Sequence, residues 1–148
     1  MIFPAKSIDS NSQIILNLAS ATSQVKLAED AFAAGQVNEA YILTSRLKPL
    51  LSEMTDMHSQ LYEALKDDSA AILTASKEKD ITVEFAKLRD RVNYLAGMIS
   101  IKQGNYREAS KHLVQVVQSQ RTTGLGEKAY TALREIGFSP KLTLSEQP

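Results

Sequence analysis

Between Tyr94 and Val117 the chain repeats one apolar pattern on both sides of a single glycine. Tyr94, Leu95, Met98 and Ile101 recur at three- and four-residue spacing, and Tyr106, Ala109, Leu113, Val116 and Val117 do the same after Gly104. That is the period of an α-helix with one apolar face. Gly104 stands just past the last periodic residue, where a chain leaving a helix commonly takes positive φ at little cost only to glycine. The stretch therefore predicts two antiparallel helices joined at Gly104–Asn105. Gly97 lies inside the first helix, where glycine costs about 1 kcal/mol against alanine, so it needs a packing reason. Gly97 and the small Ala109 predict a close crossing of the two backbones.

Gly35 has similar surroundings: AAGQVNEA stands beside KQGNYREA, each with a turn glycine, an apolar residue two on, then Glu-Ala. Ala28 occupies the position matched by Gly97. A small residue, glycine seven on, an aromatic two on and alanine three on, as in Gly97, Gly104, Tyr106 and Ala109, resembles the tetratricopeptide repeat (TPR). Gly35 and Gly104 are 69 residues apart, close to twice that family's ~34-residue period. The resemblance is most specific over residues 90–123, moderate over 21–54 and weak between them. Tyr62, Ser69 and Thr74 stand where a middle repeat wants a small residue, glycine and alanine. Gln24 and Asn93 take a position that is often aromatic.

The resemblance implies an all-α fold of antiparallel helical hairpins, stacked as a TPR-like right-handed superhelix or as a bundle. One domain is expected over residues 8–137, with 1–7, broken by Pro4, and the polar, proline-containing 138–148 as flexible tails. One hairpin cannot bury its apolar face alone, and stacked hairpins make a continuous core with a concave surface lined by the first helix of each pair. Carried over residue by residue, that lining falls on Thr22, Val25, Glu29, Phe32 and Ala33, and on Arg91, Tyr94, Met98, Ile101 and Lys102. A mainly apolar floor with a charged rim suits an amphipathic helix or apolar peptide of another protein. Some family members grip terminal carboxylates through lysine, asparagine and arginine. Here Val25, Glu29 and Leu95 replace three of those residues, so that subclass is not expected.

Along the rest of the chain, Ile14, Leu18, Ala21, Val25, Ala28 and Phe32 mark one helical face from about Ile8 or Ser12 to Gly35, as one helix or as two broken at Ser20–Ser23. A second helix follows with Val37, Ala40, Tyr41, Leu43 or Thr44, and Leu47 inward, capped near Gln36 or Asn38. Proline is tolerated best in a first turn, so Pro49 predicts the start of a third helix with Leu50, Met54, Met57, Leu61 and Leu65 as its stripe. The alternative is a kinked continuation of the second. Asp67–Ser69 ends that helix and caps a short fourth carrying Ile72 and Leu73, or lies on one helix running to about Lys79; the break is preferred. Asp80 is the expected cap of the next helix, with Ile81, Phe85, Leu88, Val92, Leu95 and Ile99 as its stripe. After a turn at Thr122–Gly126, Glu127–Ile136 is expected to form the last helix, with Ala129, Tyr130, Leu133 and Ile136 inward. No segment alternates with period two, so the expected fold is all-α with six to seven helices.

The chemistry-bearing residues are few. Seventeen basic and seventeen acidic residues cancel, so no net field draws in nucleic acid. Lys87, Arg89, Arg91, Lys102 and Arg107 form a strip interrupted by Glu84 and Asp90, without interleaved aromatics for base stacking. There is no cysteine, which excludes disulfides and thiolate sites. His58 and His112 lack further ligands at metal spacing. Gly124-Leu125-Gly126 lacks a preceding strand and a phosphate-binding lysine, so it reads as a turn. MIFPAKSIDSNSQ has no apolar signal-like core, and no run approaches the ~20 apolar residues of a membrane span. The expectation is a cytoplasmic, non-enzymatic adaptor or chaperone for another protein, without catalytic residues, cofactor, metal, nucleic acid or membrane span. The alternative is a structural subunit of a homo- or hetero-oligomer whose groove is permanently covered.

Overall fold

The computed structural model of the chain describes residues 17–120 and 123–138. Five α-helices follow one another there: α1 (Leu18–Ala33), α2 (Val37–Leu65), α3 (Ile72–Lys102), α4 (Tyr106–Gln120) and α5 (Gly124–Glu135). A 3-10 turn over Ser69–Ala71 precedes α3, and no strand occurs among the described residues. The all-α expectation holds among the described residues, which carry five helices where six to seven were expected of the whole chain. The chain divides within α3, between Arg89 and Asp90, into two compact units. The expected helix start near Ile8 or Ser12, the inward Ile14, the tail 1–7 and residues 139–148 of the other tail lie outside the described residues.

In the first unit Asn17 caps α1, its Oδ1 accepting from the Ser20 N–H at 2.8 Å, and α1 runs through Ser20–Ser23 without a break. Its buried face is made of Ala21, Val25, Ala28 and Ala31, small enough for α2 to pack closely against it. Gln36 occupies the N-cap of α2 without a side-chain hydrogen bond. Ala40, Leu43, Thr44, Leu47, Leu51 and Met54 give α2 its buried face, while Tyr41, expected inward, is exposed.

Pro49 does not start a third helix; it sits inside α2. The apolar stripe runs on through Leu47 and Leu51, and this packing outweighs the local preference of proline. Pro49 and Ser45, whose carbonyl loses its N–H partner, are both exposed, so water takes that acceptor. Pro49→Ala restores the bond and should raise stability in urea by about 1–2 kcal/mol, the propensity gain less the added freedom of the unfolded chain.

α2 has 29 residues and α1 only 16, roughly 44 Å against 24 Å at 1.5 Å per residue. The second half of α2 therefore outruns its partner, and Met57 and Leu61, expected on an inward stripe, are exposed. That half meets the first part of α3 instead. His58 Nδ1 lies 2.6 Å from Glu78 Oε1, and the His58 ring stacks on Phe85 with centroids 5.4 Å apart. Lys79 Nζ lies over the Tyr62 ring. The preferred break at Asp67–Ser69 is present: Asp68 accepts from the Ala70 N–H at 2.9 Å. The helix that follows is not short, and Asp80 caps nothing, because the turn at Asp68 already starts a helix that runs unbroken to Lys102.

In the second unit α3 and α4 cross where expected. A Cβ built on Gly97 would lie 2.7 Å from Leu113 Cγ and Cδ2, and Ala109 is fully buried. Asp90, Asn93, Gly97 and Ser100 share that buried face at helical spacing, and Ser119 Oγ donates to Asp90 Oδ2 at 2.6 Å. Leu113 and Val116 of α4 form a core with Ala129, Ala132 and Leu133 of α5. α5 begins at Gly124 and not at Glu127, because Thr123 caps it, its Oγ1 accepting from the Gly126 N–H at 3.2 Å. Tyr106 and Tyr130, expected inward, are exposed. Tyr106 opens α4, whose first buried residue is Ala109; Tyr130 lies one residue round from the buried Ala129 and carries the Arg134 guanidinium over its ring.

Gly104 has φ 76°, and the turn is closed by Asn105 N–H to Ser100 C=O at 2.8 Å and Gly104 N–H to Ile101 C=O at 3.0 Å. No atom lies within 4 Å of a Cβ placed there, so the cost of substitution is backbone strain alone. Gly104→Val should lower stability by about 1–2 kcal/mol, read as a shift of the urea midpoint.

Candidate functional site

α3 turns Leu95 and Ile99 into the core and leaves Tyr94 and Met98, one residue round the helix, half-buried. α5 brings Gly124, Glu127, Lys128, Thr131 and Glu135 to the same place, a face at three- and four-residue spacing that holds no core residue. Together with Ala132 they line a groove of about 520 Å³. Its floor is aromatic and thioether, and its rim carries both signs of charge. Burial pushes the Tyr94 phenol above its usual pKa, and the nearby Glu135 carboxylate adds to the shift. The hydroxyl thus stays protonated and available as a donor. Since the folded value is raised, the contribution of Tyr94 to stability is complete below the ordinary phenol pKa and is lost as pH rises through the raised value.

The other expected lining residues are placed differently. Val25 is fully buried, so it belongs to the α1–α2 core and lines nothing; Thr22 and Ala33 are exposed, and Glu29 and Phe32 are half-buried on α1. Arg91 and Ile101 are half-buried on α3, with Ile101 packed on the α4–α5 core, and Lys102 is exposed in the last turn of α3, where a cation suits the helix dipole. The groove unites Tyr94 and Met98 with polar residues of α5 that sequence reasoning did not single out. Their repeat at three and four was the available signal.

A second groove, about 450 Å³, also went unforeseen. Arg107, Ser110, Lys111 and Val114 line it from one face of α4, and Phe138, just past α5, completes it. Lys111 Nζ donates to Glu108 Oε1 at 3.0 Å, and that bond, with the charge behind it, holds the Glu108 carboxyl below its usual pKa. Among the described residues no three His, Cys, Asp or Glu side chains are grouped to hold a metal ion, and no helix is long and apolar enough to cross a membrane.

Compared with known proteins, the chain matches no family model, no curated protein and no solved structure.

Proposed function

We propose that the protein is a non-enzymatic helical-repeat adaptor or chaperone, TPR-like in its hairpins, which binds an amphipathic helix or peptide of another protein along the Tyr94–Met98 groove. One observation supports this most: an aromatic and a methionine remain half-buried as a groove floor while their neighbours Leu95 and Ile99 are core. Such a floor gives a rigid anchor and an adaptable contact, and the mixed rim gives register. The absence of cysteine fits a reducing compartment such as the cytoplasm. Tyr94→Ala should weaken binding of the partner segment by at least ~2 kcal/mol, measured by calorimetric titration, and Lys128→Ala on the rim should change mainly its salt dependence. Equal affinity for parent and Tyr94→Ala would remove the groove from the account.

A second reading, a structural subunit of an oligomer, is favoured by the exposed Met57, Leu61, Ile72 and Leu73 on either side of the α2–α3 turn. Light scattering on the pure chain separates the two: a stable dimer whose formation protects Leu73 supports the subunit, and a monomer supports the adaptor.

A further inference from the structure

Gly35, Gly104 and Gly137 all have positive φ, and their spacings of 69 and 33 residues are close to two periods and one period of a ~34-residue repeat. All three end a helix with the same pair of backbone hydrogen bonds; at the last, Phe138 N–H donates to Leu133 C=O and Gly137 N–H to Arg134 C=O. After Gly35 and Gly104 a helix starts within two residues and packs back on the one just ended, α2 on α1 and α4 on α3. After Gly137 the same turn delivers Phe138, which lines a groove together with the face of α4 bearing Arg107, Ser110, Lys111 and Val114. Among the described residues α5 and this turn thus repeat the first half of a hairpin.

We propose that this groove seats a second helix, and that a partner protein supplies it as an amphipathic helix with acidic residues flanking its apolar stripe. The residues that follow Phe138, SPKLTLSEQP, do not have the pattern to supply it. Leu142 and Leu144 stand two apart, about 200° on a helix, and neither has an apolar residue three or four positions on. The floor, Val114 and the exposed Phe138, calls for apolar anchors. Arg107 and Lys111, one turn apart on α4, face carboxylates across such an interface. The proposal goes beyond the Tyr94–Met98 reading and does not depend on it.

The test uses the full chain and two fluorescent synthetic peptides of roughly four helical turns. Both carry leucines at positions i, i+4, i+7 and i+11; one flanks them with glutamates, the other with lysines. Fluorescence anisotropy should show saturable binding of the glutamate peptide, tighter than the lysine peptide by about tenfold or more. Arg107→Glu with Lys111→Glu, both exposed positions, should invert that preference while the melting curve stays near the parent. Tyr94→Ala should leave it unchanged, so the two grooves fail or stand separately. Equal binding of the two peptides, or a preference that survives charge reversal, would overturn the proposal. So would about a tenfold gain in affinity on Leu142→Ser with Leu144→Ser, which would show the chain's own tail to be the occupant.

Discussion

Phe85→Ala is expected to destabilise the first unit by about 3–5 kcal/mol, the range for emptying a buried aromatic site. Phe85 is 1% exposed and is the largest of the fully buried side chains. Its removal forfeits the transfer term and leaves a cavity between helices that cannot collapse without moving backbone. It also uncovers His58, whose ring stacks on Phe85 at 5.4 Å and 12° while its Nδ1 lies 2.6 Å from Glu78. Water then competes for a hydrogen bond that the stack had sheltered. Phe85→Leu retains most of the volume and should lose about 1–2 kcal/mol. Leu73→Ala, at a site 79% exposed, should stay within ~0.5 kcal/mol. Urea unfolding followed by circular dichroism checks all three. Phe85→Ala unfolding with the parent would mean that α2 and α3 do not meet there.

Gly97→Leu is expected to cost about 3 kcal/mol in the second unit, the upper end for overpacking. The first added carbon already lies 2.7 Å from Leu113 Cγ and Cδ2, and 3.5 Å from the Ala109 carbonyl oxygen. Leu113 is fully buried and Cγ is not the free end of its side chain, so relief requires α4 to move. Gly97→Ala sets two effects against each other. Helix propensity favours alanine by up to about 1 kcal/mol, while the contact opposes it by about 1–3 kcal/mol. A net loss near 1 kcal/mol follows. Leu113→Ala is costly in itself, but in the Gly97→Ala background it should cost less by about 1 kcal/mol, a coupling that a double-mutant cycle reads directly. Additive losses would place the crossing elsewhere.

These two sites differ in how legible they were. The crossing at Gly97, the burial of Ala109 and the left-handed turn at Gly104 follow from short-range requirements: a glycine inside a helix needs a close neighbour, and positive φ is cheap only for glycine. The stripe of Phe85, Leu88, Val92, Leu95 and Ile99 was legible on a different ground, a period sustained over several turns. Pro49 and Asp80 misled because each is a local signal that loses to something longer in range. The Leu43–Leu47–Leu51 stripe carries α2 on past the proline, and the turn at Asp68 begins α3 before Asp80 is reached. Periodicity also says which face is apolar without saying whether a partner is present. Met57, Tyr106 and Tyr130 sit on or beside apolar faces and are exposed, because among the described residues the neighbouring helix is too short or none lies on that side. Tyr94 and Met98 entered through the family resemblance. Their α5 neighbours Glu127, Lys128, Thr131 and Glu135 did not, since which face of α5 meets α3 depends on the register of helices distant in sequence. The groove at Phe138 needed the turn at Gly137 to be seen as the equal of the other two.

The most direct test of the adaptor account is site-specific photo-cross-linking from position 98, in the native host, with the cross-linked peptides read by mass spectrometry. Met98 lines the groove, so a photoreactive residue there reports whatever lies along it. The account predicts a cross-link to one segment of another protein with apolar residues three and four apart, lost when Tyr94 is also changed to alanine. Cross-links confined to Gly124–Glu135 of the same chain, unaffected by Tyr94→Ala, would contradict it and show the groove to be closed on itself.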